Sequence, residues 1–154
     1  MAGFQPQDIL PDREIKARVR LDIKGTTKPG RFFFGGKPMD KAAEEAREQQ
    51  VTLLRNVPFQ GVHIDNIDVC MDIYTVYDEA NNQEVAYAPL ILEVTADTVE
   101  DLVKFVTRED FRKIEVLSPA TLNLHRYDLE RLIFRIAEEM KNYRLQLERK
   151  YSAR

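Results

Sequence analysis

The feature that most constrains this chain is a ten-residue segment in which apolar and polar side chains alternate without a break. The apolar members are Ile15, Ala17, Val19, Leu21 and Ile23, and the polar members are Lys16, Arg18, Arg20, Asp22 and Lys24. Successive side chains of a β-strand point to opposite faces of the sheet, so this pattern predicts a half-buried strand. The fold must therefore contain a sheet with one covered face and one polar face.

The rest of the chain divides into further elements that define the fold class. Their predicted order is helix 39–55, strand 67–77, strand 85–94, a helix capped by Asp97–Glu100, strand 114–117 and a last helix over about 126–150. A β-bulge near Asp65-Asn66 keeps the residues before it in phase with the alternation of the strand 67–77. Pro89 lies within the strand 85–94, which therefore needs an edge position or a bulge at that point. Residues 1–13 contain Gly3, Pro6 and Pro11 and read as an N-terminal arm.

This order predicts an α+β fold, a ferredoxin-like βαββαβ sandwich with an extra long C-terminal helix. We expect a single domain over residues 14–154, with two helices on one face of a four-stranded antiparallel sheet. Its predicted core is one cluster made of Ile15, Val19, Leu21, Val69, Ile73, Leu92, Val94, Leu102, Val106, Ile114 and Val116.

The last helix carries a continuous apolar seam. Its members recur at intervals of 4, 3, 4, 3 and 4 residues: Leu129, Ile133, Ile136, Met140, Tyr143 and Leu147. A helix over 126–150 is about 37 Å long at ~1.5 Å per residue, which exceeds what a small sheet can support. We expect Leu129 to Ile136 to pack on the sheet and Met140, Tyr143 and Leu147 to bind another chain. The alternative is that Phe4, Ile9 and Leu10 of the arm fold back over them.

A family resemblance rests on the second half of the chain. The segment Leu90–Val103, then Ile114-Glu-Val-Leu-Ser-Pro119, then a long helix resembles the C-terminal extension domain of WYL-type transcription regulators. In outline it is also similar to ACT-type ligand-sensing domains. The resemblance covers residues 84–143 and implies a ferredoxin-like regulatory domain. The chain has no recognisable DNA-reading helix-turn-helix, so a regulator role requires a partner.

One region gathers side chains that could carry chemistry. His63, Asp65, Asp68, Cys70 and Asp72 lie within ten residues, which is compatible with a metal-dependent enzyme. Ligands in a row along one strand rarely converge on one ion, so a solvated sheet face is the other interpretation. Neighbouring carboxylates should raise the pKa of the Cys70 thiol, which argues against a nucleophile. We expect no catalytic residue, no metal and no cofactor.

Two basic regions suggest binding of anions or nucleic acid. Gly30–Lys37 combines three phenylalanines with glycines and cations before a helix, so Arg31, Gly35, Gly36 and Lys37 are candidate anion ligands. A hairpin whose phenylalanines cover the sheet edge is the structural alternative. Lys16, Arg18 and Arg20 form a basic stripe that, with Phe33, could meet RNA. Cross-strand pairing with Asp68 and Asp72 would instead neutralise that stripe.

The distribution of charge and the single cysteine limit the kinds of function and the cell compartment expected for this protein. Gln60–Asp110 carries twelve acidic and two basic residues, whereas Asp12–Lys41 carries nine basic and four acidic ones. Such segregation is typical of charged interaction surfaces, or of blocks that neutralise each other within the fold. A single cysteine, no apolar run of about 18 residues and no secretory leader predict a cytoplasmic protein that does not enter membranes. We expect a non-enzymatic binding or regulatory module with a protein partner or a second copy; nucleic-acid binding is the alternative.

Overall fold

A computed structural model describes residues 14–25 and 38–152 of the chain. They form eight elements: β1 (Ile15–Lys24), α1 (Pro38–Asn56), β2 (Val62–Asp68), β3 (Tyr74–Asp78), β4 (Gln83–Ala96), α2 (Val99–Val106), β5 (Phe111–Ser118) and α3 (Arg126–Ser152). The predicted arm 1–13 and the predicted anion site Arg31, Gly35, Gly36 and Lys37 lie outside the described residues, as does Phe33.

The fold is α+β, with five strands in one antiparallel sheet, three helices, and a long helix at the C-terminus. The strand order is β2-β4-β1-β5, and β3 pairs with the other half of β4. The two central strands pair over their whole length, from Ile15 opposite Ala96 to Lys24 opposite Tyr87. β5 lies on the other side of β1 and has Ile114 opposite Val19.

The alternation of β1 is realised as predicted. Its five apolar side chains are at most 5% exposed and meet alternate residues of β4, including Leu90, Leu92 and Val94. Leu102 and Phe105 of α2, with Leu54 of α1, close this core from the helical side. The sheet therefore has one face covered by helices and one polar face, called here the open face.

The predicted core is correct for most of its members and wrong for three. Ile15, Val19, Leu21, Leu92, Val94 and Leu102 form it, with Val106 and Ile114 packed against it. Ile73 instead joins a small second cluster with Ala43, Ala86 and Ala88. Val69 and Val116 are 43% and 55% exposed, because one lies beyond the end of β2 and the other on the edge strand.

The predicted strand 67–77 is divided in two. The bulge near Asp65 is present as a register shift between Ile64 and Asn66. β2 then ends at Asp68, and β3 begins only at Tyr74. Pro89 of β4 lies opposite the interruption, and a proline cannot donate to a neighbouring strand. The edge position that Pro89 demands is therefore created by a gap between two strands.

The cap of α2 lies one residue later than predicted. Thr98, and not Asp97, is the N-cap, and its hydroxyl oxygen accepts from the Asp101 amide at 3.1 Å. The same hydroxyl donates to the Asp101 carboxylate at 2.9 Å. The Thr98 hydroxyl thus satisfies one backbone donor of the first turn and is itself held in place by the Asp101 carboxylate.

The last helix was expected to pack on the sheet from Leu129 to Ile136, and this is wrong. α3 packs instead along α2, and none of its described residues is buried. α2, which contacts β2 and β4, lies beneath α3 in place of the sheet. Within residues 14–25 and 38–152, no helix combines the length and the apolar character that crossing a membrane requires.

Candidate protein-docking surface

Exposed apolar side chains are concentrated in the C-terminal part of the described chain. Among the residues that the structure describes, nineteen large hydrophobics are exposed, and thirteen of them lie between residues 116 and 151. Scattered exposed hydrophobics are normal on a protein surface, whereas a contiguous concentration marks an interaction site. This concentration singles out β5, the loop after it and α3.

The predicted seam of α3 is part of this surface. Five of its six members are exposed, with Met140 at 67% and Ile133 at 59%, and Leu147 is half-buried. Since the helix itself spans Arg126–Ser152, the seam members lie along one stripe of a continuous helix. The α3 seam, defined as Leu129, Ile133, Ile136, Met140, Tyr143 and Leu147, is therefore an unpartnered apolar stripe within the described residues.

The support beneath α3 is too short to cover it. α2 has eight residues and α3 has twenty-seven, which correspond to about 12 Å and about 40 Å of helix. Arg131 lies 3.8 Å from Glu100 at the start of α2. Near the other end, Tyr143 and Gln146 line a cleft of about 520 Å³ with residues 106–109. Beyond that cleft the helix extends past its support.

Three ion pairs join charged residues within α3. Arg144 lies 3.1 Å from Glu148, and Arg135 lies 3.0 Å from Glu138. Arg131 contacts Asp128 at 2.5 Å. Such pairs at spacings of three and four stabilise an exposed helix by a few tenths of a kcal/mol each. These ion pairs thus stabilise the polar surface of the helix, while its apolar stripe stays exposed.

β5 is an edge strand of the sheet. It pairs with β1, and no described strand lies along its outer edge. Glu115 lies 3.2 Å from Arg18 on the open face. Lys113, two residues earlier on the same face, is exposed and forms no ion pair among the described residues. An exposed edge presents unpaired backbone donors and acceptors to any extended chain that approaches it.

The basic stripe proposed for nucleic acid is largely neutralised. Arg18 contacts Glu93 at 3.3 Å as well as Glu115, and Arg20 contacts Asp22 at 2.8 Å. Lys16 is exposed. The acidic partners come from β4, β5 and β1 itself, so the expected pairing with Asp68 and Asp72 is wrong. The structure places the stripe on the open face but leaves little free positive charge there.

Asp22 is a buried carboxylate that sequence reasoning missed. It is 5% exposed although it lies on the open face. Arg20 donates hydrogen bonds to both carboxylate oxygens of Asp22, and the Tyr74 hydroxyl donates to the same carboxylate. Arg112 Nε lies 3.8 Å from this carboxylate. Burial and the Asp22 hydrogen bond raise the pKa of Tyr74 above its ordinary value. The one signal in the sequence was an acidic residue interrupting a stripe of cations.

The acidic region around His63 forms two separate pairs. His63 Nδ1 lies 2.8 Å from Asp65, whose other oxygen accepts from the Thr95 hydroxyl at 2.6 Å. Partial burial raises the pKa of Asp65, but the bonds from Thr95 and His63 outweigh it, and the pKa lies below its usual range. Thr95 donates to the carboxylate and not to the imidazole, so no nucleophile is activated in this arrangement.

The second pair lies in the segment between β2 and β3. The Asp68 carboxylate accepts from the Cys70 amide at 2.7 Å, and its hydrogen bond with the thiol raises the pKa of Cys70. The raised thiol pKa confirms the direction expected from the sequence. Asp68, Cys70 and Asp72 were expected to lie along one strand, and this is wrong because β2 ends at Asp68. No three potential metal ligands converge within the described parts of the chain.

A cavity of about 740 Å³ lies between α1, α2 and the end of β1. Its lining mixes cations and carboxylates, among them Lys104, Asp101 and Asp110. Arg108 is held by Asp110 at 2.8 Å and by Gln50 at 3.1 Å. Three of the polar groups at this cavity, Arg108, Asp110 and Gln50, are thus engaged with one another.

No family model, no curated protein and no solved structure matches this chain.

Proposed function

We propose that this protein is a non-enzymatic binding or regulatory module that self-associates or docks on a larger protein through α3. The observation that carries the proposal is the α3 seam, six apolar residues on a helix in which no described residue is buried. An isolated helix with an exposed apolar stripe gains stability when another surface covers that stripe.

The energy available at the seam is of the size that an interface needs. Full burial of one large apolar side chain contributes about 1.5–3 kcal/mol. Met140, Tyr143 and Leu147 together therefore contribute several kcal/mol, from which the cost of association is subtracted. Ile133 and Leu129, now exposed rather than packed on the sheet, add to the same stripe. The part of the seam that is exposed to a partner is thus larger than expected from the sequence, although its members are the same.

The fold assignment belongs to this proposal. We infer a ferredoxin-like βαββαβ arrangement in which β2 and β3 together occupy one edge position. It is supported by α1 between β1 and β2, by α2 between β4 and β5, and by the order β2-β4-β1-β5. The resemblance of residues 84–143 to regulatory domains accords with a binding role. The lone thiol Cys70 fits a reducing cytoplasm.

The test compares two pairs of lysine substitutions on the same helix. Met140→Lys with Leu147→Lys interrupts the seam, whereas Phe134→Lys with Leu145→Lys places the same charges on exposed residues outside it. Sedimentation should show association of the wild type and of the control pair, and its loss in the seam pair. Circular dichroism of all three should be alike, since none of the four residues is fully buried.

Binding to a different protein is tested by photo-crosslinking. A photo-reactive amino acid replaces Met140 or, as control, the exposed Glu45 of α1. Capture of one defined polypeptide at position 140 alone supports the proposal. A wild type that sediments as a monomer at high concentration, together with equal capture at both positions, would overturn it.

A further inference from the structure

The outer edge of β5 carries opposite charges that match when the strand meets a copy of itself. Lys113 and Glu115 lie on the same face, since they oppose Arg20 and Arg18 of β1. A two-fold axis through Ile114 places Lys113 of one copy directly opposite Glu115 of the other, and the reverse contact follows by symmetry. Opposite charges across an antiparallel pair are stabilising, and like charges are destabilising.

This charge pattern also selects one register. Moving the axis from Ile114 to Lys113 sets the two lysines against each other, and moving it to Glu115 sets the two glutamates against each other. A shift by one residue changes the face on which every side chain lies. A lone lysine on an edge strand normally discourages pairing, but here Glu115 two residues later makes the edge self-complementary.

The size of the exposed surface favours a second copy over the N-terminal arm. Thirteen large hydrophobics are exposed between residues 116 and 151. The arm offers only Phe4, Ile9 and Leu10 besides its initial methionine. The arm thus has far fewer large apolar side chains than the number exposed, whereas a second copy brings an equal number of its own.

We infer that β5 pairs antiparallel with β5 of a second copy around a two-fold axis at Ile114, which joins the two sheets into one. This inference rests on the proposed function and names the partner. Directly opposite residues of an antiparallel pair share a face, so the helical layers of both copies lie on the same side of the joint sheet.

Charge reversal tests the register. Lys113→Glu and Glu115→Lys each replace two attractive contacts in the dimer by two repulsive ones, and each should raise the dimer Kd about tenfold. The double variant Lys113→Glu, Glu115→Lys restores opposite charges and should return the Kd to within about threefold of the wild type. If Glu115 mattered only through Arg18, the double variant would be as weak as Glu115→Lys alone.

A disulfide trap gives a second measurement that does not depend on affinity. In a Cys70→Ser background, Ile114→Cys places two thiols opposite each other at the axis, within the Cα separation that a disulfide spans. Val116→Cys, on the same face and more exposed, lies two residues from the axis, so its thiol is four residues away from its counterpart in the second copy and should not cross-link. Rapid oxidation to a dimer at position 114 but not at position 116 is the expected result.

The outcomes separate this inference from the proposed function. If the charge variants leave the Kd unchanged while Met140→Lys with Leu147→Lys abolishes association, α3 is a docking site and β5 pairing is wrong. Equal cross-linking at positions 114 and 116 also overturns the inference. A monomeric wild type overturns it too, and the photo-reactive probe at Met140 then decides the proposed function alone.

Discussion

Arg47 Nη1 donates a hydrogen bond to the carbonyl oxygen of Pro89 at 3.1 Å. The same nitrogen donates to the carbonyl oxygen of Met71 at 3.0 Å. Arg47 belongs to α1 and is 9% exposed; Met71 lies in the segment between β2 and β3, and Pro89 lies on β4 opposite that segment. A buried carbonyl without a donor is costly, so the guanidinium takes the place of the missing strand pairing.

Replacement of Arg47 should therefore destabilise the fold. We expect Arg47→Met to lower the free energy of unfolding by about 2–3 kcal/mol, because hydrogen bonds from a charged group are lost and two carbonyls become unpaired. Arg55→Met, at an exposed position near the end of the same helix, should change it by less than about 0.5 kcal/mol. Urea denaturation of both variants measures the difference, and equal midpoints would contradict the assigned role.

Gly61 should not tolerate a side chain. Its φ is +71°, and a Cβ placed there would lie 2.2 Å from the carboxylate carbon of Asp101, the residue that closes the α2 cap. We expect Gly61→Ala to cost about 2–3 kcal/mol, from the left-handed backbone and the contact together. Gly61→Asn tolerates that backbone conformation better but keeps the contact. Thermal unfolding of both variants decides, and full stability of the asparagine variant would show that backbone strain alone matters.

Tyr74 should make stability depend on alkaline pH. Burial and the hydrogen bond to Asp22 raise the pKa of its hydroxyl in the folded state. Above an ordinary tyrosine pKa of about 10, the unfolded chain releases this proton before the folded one does, so folding weakens as pH rises. The wild type should be more stable than Tyr74→Phe at pH 8, and this advantage should shrink above pH 10. Parallel denaturation profiles from pH 8 to 11 would contradict the prediction.

Asp68 should slow the reaction of Cys70 with alkylating reagents. The hydrogen bond with this carboxylate and its charge raise the thiol pKa, and the thiolate is the reactive form. Asp68→Asn should therefore speed alkylation by iodoacetamide at pH 8. Asp72→Asn removes a second carboxylate nearby on the chain and should have less effect. Stopped time points analysed by mass spectrometry give both rates, and a faster reaction in Asp72→Asn than in Asp68→Asn would reverse the assignment.

The local pattern of side chains predicted the secondary-structure elements well wherever residues close in the sequence determine them. The alternation over 15–24, the bulge at Asp65 and the extent of the last helix are all set by side chains close along the chain. The division of the strand 67–77 is different, since its alternation is nearly perfect. Pro89 and Arg47, both distant in sequence from this strand, interrupt it, and the pattern of residues 67–77 contains no sign that they will lie beside it.

The candidate site was predictable in part for the same reason. The α3 seam follows from the spacing of its apolar residues. That α2, and not the sheet, lies beneath α3 depends on tertiary packing, and Leu129 to Ile136 were misassigned for that reason. Burial of Asp22 likewise depends on Tyr74 and Arg112, which come from β3 and β5. The sequence pattern records which side chains a strand presents, but not which residues will cover them.

The pairing of β1 has a consequence for how the protein is made. Ile15 pairs with Ala96 and Lys16 with Ser118, so both neighbours of β1 are synthesised long after it. During translation, β1 therefore remains unpaired, with its apolar side chains exposed to solvent, until most of the chain has emerged from the ribosome. Contacts between such distant segments also slow folding, because long loops must close before any of them form. The alternating lysines and arginines of β1 then have a second use, since they keep the waiting strand charged and hold back its aggregation during translation.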